Sequence, residues 1–231
     1  MASTDEFRGV AFASVTQGWA TSFHAVHYDY QGDPDDWRGS IWHTADGGAH
    51  WARQSLPANA GLLNRIDFID AQRGWAVGVK YTGDDQYSNP QHAGVVYRTT
   101  DGGQTWTELY SPGANVVLNG VEWTDADHGW VVGFPTLSSM SGGFTFHTAD
   151  GGQTWQRQTP GRFFAPLWDV QFIDANRGYT VGFGLAGPST MNARCEATAD
   201  CLILSTAETM LFSAVSAPTL NSVPGRLLLI V

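Results

Sequence analysis

The sequence of 231 residues has a single lysine, two cysteines and few charged residues of either sign. Charged residues make up 15% of the chain, well below the roughly 25% of an ordinary soluble domain. With 12 Lys and Arg against 22 Asp and Glu, the net charge is −10. Because nucleic-acid binding needs a basic surface that neutralises phosphates, nucleic acid is not expected as a partner.

Long hydrophobic runs are also missing. No stretch approaches the roughly 20 apolar residues that a helix needs to cross a bilayer, so no transmembrane segment is predicted. Residues 1–7 have neither the basic nor the apolar region of a signal peptide, and none is expected in this chain. The two cysteines, Cys195 and Cys201, are six positions apart, a spacing that leaves a small disulfide loop and two free thiols equally open.

Tryptophan and glycine, by contrast, are abundant, with 10 and 27 residues, and both recur at regular spacing. One element reads Thr-x-Asp-Gly-Gly-x-x-Trp. It occurs three times, and its aspartates, Asp46, Asp101 and Asp150, are 55 and 49 residues apart. Such a period indicates a repeat architecture, in which each copy is one supersecondary unit.

A second element, Gly-Trp or Gly-Tyr, recurs in the same phase. Its glycines are separated by 56, 55 and 49 residues and are Gly18, Gly74, Gly129 and Gly178. An aromatic residue precedes each glycine by six positions: Phe12, Phe68, Trp123 and Phe172. Three features in constant order make a chance origin of the repeat implausible.

Each repeat contains four short segments with the alternation and turn residues of β-strands. Four antiparallel strands at a period of about 50 residues predict one blade of a β-propeller, because a lone four-stranded sheet cannot bury both faces. We therefore expect an all-β fold in a single domain of about four blades, forming an incomplete or open propeller. The predicted units are residues 7–56, 57–111, 112–160 and 161–216, with 217–231 as the start of a further blade or a tail.

The Asp-Gly-Gly-x-x-Trp element is interpreted as structural. An aspartate at a turn accepts backbone N–H bonds, glycines allow the positive φ of a tight reversal, and the tryptophan packs against a neighbouring blade. A catalytic residue is needed once per protein rather than once per blade, so no catalytic role is predicted. The residues assigned to this role are Asp46, Gly47, Trp51, Asp101, Gly102, Trp106, Asp150, Gly151 and Trp155.

This pattern resembles the Asp-box, or bacterial neuraminidase repeat, of sialidases, sortilin-type receptors, xyloglucanases and photosystem II assembly and stability factors. The order of motifs is most similar to the photosystem II factors and their bacterial relatives. That resemblance implies a scaffold with a protein partner in an extracytoplasmic location. It also implies seven blades and a basic patch in plant and cyanobacterial members, whereas this chain has about four units and is acidic.

An enzymatic relative would need more than the repeat. A sialidase-like protein would show an Arg-Ile-Pro motif and three arginines that grip a carboxylate, but the sequence has no Arg-Ile-Pro, and Arg73 and Arg177 lie in turns. A glycosidase needs two carboxylates about 5–10 Å apart. Loop residues such as Asp36 and Asp85 could supply them, as could almost any acidic surface.

The loops on the edge opposite the Asp-boxes are the most variable part of the repeat, and binding residues commonly lie on such loops. Aromatic side chains of these loops form the predicted binding face: Tyr28, Tyr30, Trp37, Tyr81 and Tyr87. The neighbouring acidic residues predict a cationic partner, or a sugar stacked on the aromatic rings. Solvated loops without a binding role are an equally open interpretation.

No metal or cofactor is predicted. Asp29, Asp33, Asp35 and Asp36 could offer oxygen ligands to calcium, but their spacing differs from the twelve-residue EF-hand loop. His24 and His27 have no third ligand at a recognised spacing. The sequence thus favours a non-catalytic binding or assembly scaffold with a protein partner. The alternative is a glycan-binding or glycoside hydrolase propeller, and the oligomeric state is left open.

Overall fold

The computed structural model describes residues 5–28, 34–86, 90–135, 142–158, 166–174, 177–182, 193–195 and 203–204. Every regular element in this part of the chain is a β-strand, and the strands form four sheets of four. The predicted all-β fold of blade-like units is confirmed. Within the described residues, no helix has the length and apolar character needed to cross a membrane.

The first three sheets are antiparallel meanders whose strands neighbour one another in chain order. The first contains β1 (Glu6–Phe12), β2 (Gly18–Tyr28), β3 (Pro34–Thr44) and β4 (Ala52–Arg53). The second contains β5 (Ala60–Phe68), β6 (Gly74–Asp84), β7 (Pro90–Thr99) and β8 (Thr107–Ala114). The third contains β9 (Val116–Trp123), β10 (Gly129–Pro135), β11 (Phe144–Thr148) and β12 (Gln156–Gln158).

The fourth sheet departs from this meander. It contains β13 (Leu167–Asp174), β14 (Arg177–Gly182), β15 (Ala193–Cys195) and β16 (Ile203–Leu204). The strand β16 pairs with β14 in parallel, beyond the two residues that β15 occupies. The predicted unit of residues 161–216 therefore does not form an antiparallel meander in its described residues.

An aspartate closes the turn between the first two strands of the second and third sheets. In the second sheet, Asp70 Oδ1 accepts the backbone N–H groups of Gln72 and Arg73, both at 2.8 Å. The Arg73 guanidinium also lies 2.6 Å from Asp70 Oδ2. In the third sheet, Asp125 accepts the equivalent bonds from Asp127 and His128. These turns place the aromatic that ends the first strand opposite the glycine that starts the second, as in the pair Phe68 and Gly74.

The core lies between successive sheets and is built from stacked aromatic rings. Trp19 of the first sheet stacks on Phe68 of the second, with ring centroids 3.6 Å apart. The same contact joins Trp75 to Trp123 at 4.0 Å and Trp130 to Phe172 at 3.6 Å. Each pair therefore combines the tryptophan of Gly-Trp in one blade with the aromatic six residues before the glycine in the next. This contact is the physical reason for the regular spacing in the sequence.

The glycine of Gly-Trp is required by the same aromatic. A Cβ atom on Gly74 would overlap the ring of Phe68, and one on Gly129 would overlap the indole of Trp123. The ring is held in place because the tryptophan of the preceding blade covers its other face. A side chain at the glycine position would therefore displace the inter-blade stack.

Polar contacts connect the first strands of different sheets. Asn64 Nδ2 donates to the carbonyl of Leu118 at 2.9 Å and to Asn119 Oδ1 at 3.2 Å. Asn119 Nδ2 in turn donates to the carbonyl of Leu167 at 2.8 Å. These amides, both largely buried, thereby link the second, third and fourth sheets.

An ion pair joins sheets that are not neighbours in the chain. Arg65 of β5 lies 2.8 Å from Asp169 of β13 and also donates to the carbonyl of Arg8 in β1 at 3.0 Å. One arginine therefore links three of the four sheets. In the part of the chain that the structure describes, the sheets pack face to face in chain order and do not close into a ring.

Candidate functional site

The three Asp-box turns have the same hydrogen bonds. In the second sheet, Asp101 Oδ1 accepts the hydroxyl of Thr99 at 2.8 Å and the backbone N–H of Thr105 at 2.9 Å. The Thr99 hydroxyl oxygen accepts the N–H of Gly103 at 2.8 Å. Corresponding bonds surround Asp46 and Asp150. The threonine that precedes the aspartate by two positions is thus part of the motif.

Both glycines of each turn have positive φ, for example 72° at Gly102 and 89° at Gly103. This conformation strains residues with a Cβ, which explains the paired glycines of the motif. The N–H of the first glycine also donates to a carbonyl in the turn between the first and second strands of its sheet. In the second sheet, the N–H of Gly102 donates to the carbonyl of Gln72 at 2.9 Å. Gly47 and Gly151 make the equivalent bonds. The Asp-boxes and the turns between first and second strands therefore share one edge of the sheets.

The Asp-box carboxylates have low pKa values because they accept several hydrogen bonds. The hydroxyl and the backbone N–H of Thr105 lower the pKa of Asp101 to about 2. Those of Thr154 lower the pKa of Asp150 to about 2. The backbone N–H of His50, followed by its ring, holds the pKa of Asp46 well below its ordinary value. These carboxylates are ionised at neutral pH and are poorly suited to act as general acids.

The structural role of the Asp-box aspartates stays a prediction, and Asp101→Asn tests it. Because the pKa of Asp101 is lower in the folded state, its stabilisation is complete above the unfolded value of about 3.9 and is lost as the pH falls through about 2. We expect Asp101→Asn to lower the melting temperature at neutral pH and to flatten the loss of stability on acidification. Thermal melts at a series of pH values provide the measurement.

The exposed Asp127→Asn variant is the control, because it alters an aspartate of a neighbouring turn outside the motif. An Asp101→Asn variant with an unchanged melting temperature and no ligand binding would contradict the structural role.

The Asp-box tryptophans differ in burial, although all three pack edge-on against the aromatic of their own sheet. Trp106 is 5% exposed, and its indole N–H donates to Gln54 of the preceding sheet at 3.2 Å. Trp155 is partly buried, whereas Trp51 is 36% exposed. The prediction that all three are buried between blades is therefore wrong for Trp51, because no described residues cover the outer face of the first sheet.

The predicted binding face is described only in part. Tyr30 and Tyr87 lie outside the described residues, and Tyr28 ends β2 with a side chain outside them. Trp37 and Tyr81 are both partly buried, and the structure brings them to the two sides of His92. The ring centroid of His92 lies 6.0 Å from Trp37 and 6.3 Å from Tyr81.

An arginine completes this group. The Arg38 guanidinium lies 5.2 Å from the ring centroid of Tyr81, a distance typical of a cation–π contact. We call Trp37, Arg38, Tyr81 and His92 the aromatic cluster. It spans the first two sheets at the strand ends remote from the Asp-boxes, since Tyr81 pairs with His92 near the β6–β7 loop. Asp84, the last residue of β6, accepts the Tyr81 hydroxyl at 2.7 Å.

A cavity of about 540 Å³ adjoins the cluster and shares Arg38 with it. It is lined by residues of β2 and β3 and by the connector that leads from β4 to the second sheet. The side chains that give it polar character are His24, Arg38, Arg53, Gln54 and Ser55. None of the described residues that line it is a carboxylate.

Two guanidinium groups line the cavity, and such groups suit an anionic ligand. The prediction of a cationic partner for the acidic loops stays a prediction, because the carboxylates of Asp29, Asp33, Asp35 and Asp36 lie outside the described residues. The arginines come from the neighbouring strands β3 and β4. Sequence reasoning missed Arg53, and its place two residues after Trp51 was the available signal that it follows the Asp-box onto the last strand.

No metal site is found in the described part of the chain, where no three His, Cys, Asp or Glu residues are grouped as ligands. Of the acidic loop residues considered for calcium, Asp29 and Asp33 lie outside the described residues. The side chains of Asp35 and Asp36 do so as well. The proposed calcium ligands and the carboxylate pair of Asp36 and Asp85 thus stay untested, as does the pairing of Cys195 with Cys201.

Comparisons with known proteins agree with the repeat. Residues 48–162 match the model of the family described as photosynthesis system II assembly factor YCF48. The structure "YCF48 bound to D1 peptide" is 18% identical, with a TM-score of 0.45, covering 88% of this chain and 69% of that one. The GH74 enzyme of Niastella koreensis is 10% identical, with a TM-score of 0.31, covering 86% of this chain and 46% of that one. No curated protein sequence matches the chain.

Proposed function

Because residues 48–162 belong to the photosystem II assembly factor YCF48 family, we propose that this chain is a non-catalytic binding scaffold. It engages a protein partner through the aromatic cluster and the adjoining cavity. The observation that carries the proposal is the position of Arg38, which contacts the ring of Tyr81 and also lines the cavity. Aromatic and anionic groups of one partner can therefore bind side by side.

The residue types of the cluster support a protein partner. Tryptophan, tyrosine and arginine are the residues most enriched among interface hot spots, because they provide large contact areas together with hydrogen-bond donors. Their rings and guanidinium are held in mutual contact before binding, which lowers the entropy lost on association. A peptide segment with an aromatic or apolar residue next to a carboxylate matches this surface.

The charge of the cavity supports a non-catalytic role. A glycosidase needs two carboxylates on opposite sides of its substrate, and the described cavity lining supplies guanidinium, imidazole and amide groups instead. The Asp-box carboxylates are engaged in their own turns. Glycan binding or hydrolysis is therefore the less favoured alternative, and a panel of oligosaccharides added to the purified chain tests it.

The proposal predicts that the variant combining Trp37→Ala and Tyr81→Ala binds a partner peptide at least about tenfold more weakly, which corresponds to roughly 1.4 kcal/mol. Peptides selected from a displayed library on the wild-type chain serve as the probe, and fluorescence anisotropy measures their affinity. Affinity should also fall as ionic strength rises, since the arginines contribute through charge.

Gln104→Ala, an exposed change in an Asp-box turn, is the matched control and should bind like the wild type. Unchanged affinity in the Trp37 and Tyr81 variant, together with a loss in the Gln104 variant, would move the site to the Asp-box edge. We also propose an extracytoplasmic location by analogy with the family, which fractionation of the source cells would test.

A further inference from the structure

Among the described residues, the outer faces of the first and fourth sheets expose apolar side chains at positions that are buried between sheets elsewhere in the repeat. The outer face of the first sheet comprises Phe7, Val10, Phe12 and Trp51, and that of the fourth comprises Tyr179 and Val181. All six are exposed by between 36% and 64%. Contiguous exposed apolar side chains of this kind mark interaction surfaces.

The repeat shows which contacts these faces lack. Phe12 corresponds to Phe68, Trp123 and Phe172, which are at most 4% exposed because a preceding tryptophan stacks on each. Phe12 is 48% exposed. The first sheet therefore presents the accepting half of an inter-blade stack whose tryptophan partner is absent from the described residues.

The fourth sheet presents the opposite half. Tyr179 corresponds to Trp19, Trp75 and Trp130, all fully buried against the next sheet, yet it is 45% exposed. Val181 is likewise exposed where its counterparts Val77 and Val132 are buried. The two faces thus hold the complementary halves of the contact that already joins the sheets three times within the chain.

We propose that a second copy of this chain docks head to tail on these faces, with Tyr179 of one copy stacked on Phe12 of the other. A two-fold arrangement then contains two such junctions and covers both apolar faces of each copy. The apolar surface that these faces expose is of the kind that association buries.

The oligomeric state of the full chain tests this proposal. Light scattering after size exclusion should give twice the monomer mass, with a concentration-dependent return to monomer. Phe12→Glu and Tyr179→Glu should each raise the dimer dissociation constant at least about tenfold, because each encloses a carboxylate against an aromatic ring. The control Val15→Glu changes a residue that is 91% exposed in a turn, and this variant should dimerise normally.

Mixing the two interface variants distinguishes head-to-tail docking from other modes. In the mixed pair, one junction carries both substitutions, and the other retains Phe12 and Tyr179. Dimers should therefore reappear on mixing, which also shows that each variant is folded. A monomeric mass of the wild type at all concentrations, or folded variants that remain monomeric after mixing, would overturn the proposal. Peptide affinity reports on the aromatic cluster of the proposed function, so its gain or loss does not bear on the dimer.

Discussion

Trp106→Ala is expected to lower the free energy of unfolding by about 3–5 kcal/mol, the usual range for truncating a buried tryptophan. The indole is 5% exposed and lies edge-on to Phe68, with ring centroids 5.9 Å apart. Its removal leaves a cavity beside the Trp19 and Phe68 stack, so the interface between the first two sheets loses contacts on both sides. Chemical denaturation followed by circular dichroism measures the change.

The polar contact of Trp106 adds to this loss. Gln54 Oε1 accepts the indole N–H, and Gln54 Nε2 donates to the carbonyl of Gly102 at 2.9 Å. Without the indole, the amide oxygen loses its partner at a partly buried position. The expected loss therefore includes both packing and an unsatisfied acceptor.

Trp51→Ala is the matched control, because Trp51 occupies the same place in the repeat but is 36% exposed. Its indole N–H donates to the carbonyl of Gly48 in its own turn, so no second sheet is involved. We expect a loss of about 1 kcal/mol in dilute solution, typical of a partly exposed side chain. Equal losses for the two variants would contradict the assignment of Trp106 to an inter-blade contact.

Asn119→Ala should lower the free energy of unfolding by about 1–3 kcal/mol, because it removes buried hydrogen bonds to two other sheets. The carbonyl of Leu167 loses its donor, and Asn64 loses one of its two acceptors. The packing of the sheets should loosen around this position. Hydrogen exchange of the amides in β9 and β13 would report that loosening in addition to the denaturation midpoint.

A double-mutant cycle with Asn64→Ala isolates the contact between the two amides. Residues in one hydrogen-bond network usually show a coupling energy of about 0.5–3 kcal/mol. Additive losses would mean that the two asparagines act separately, each through its own carbonyl partner. Such a result would contradict a continuous link across three sheets.

The fold was predictable because its defining contacts are either local or repeated. The threonine, aspartate and glycines of an Asp-box bond within four residues of one another. The aromatic and the glycine six positions apart face each other across one tight turn. Short-range contacts of this kind depend on residue type and spacing, and both can be read along the chain.

The binding surface was predictable only in outline. The aromatic residues of the long loops identified Trp37 and Tyr81, but not the His92 ring between them or the shared Arg38. The sequence suggested an acidic edge, and the placement of Arg38 and Arg53 at one cavity was not part of that prediction. Net charge averages over the whole chain and does not predict the charge of one cavity.

The sequence by itself determined the repeat and the turn chemistry, because these follow from residues close together in the chain. Only the tertiary structure decided which residues from different blades meet. Arg65 and Asp169, 104 positions apart, form an ion pair, and the amide of Asn119 reaches Leu167 across 48 positions. The tertiary structure also determines the exposure of the outer faces of the first and fourth sheets, because exposure depends on which sheets are neighbours in space.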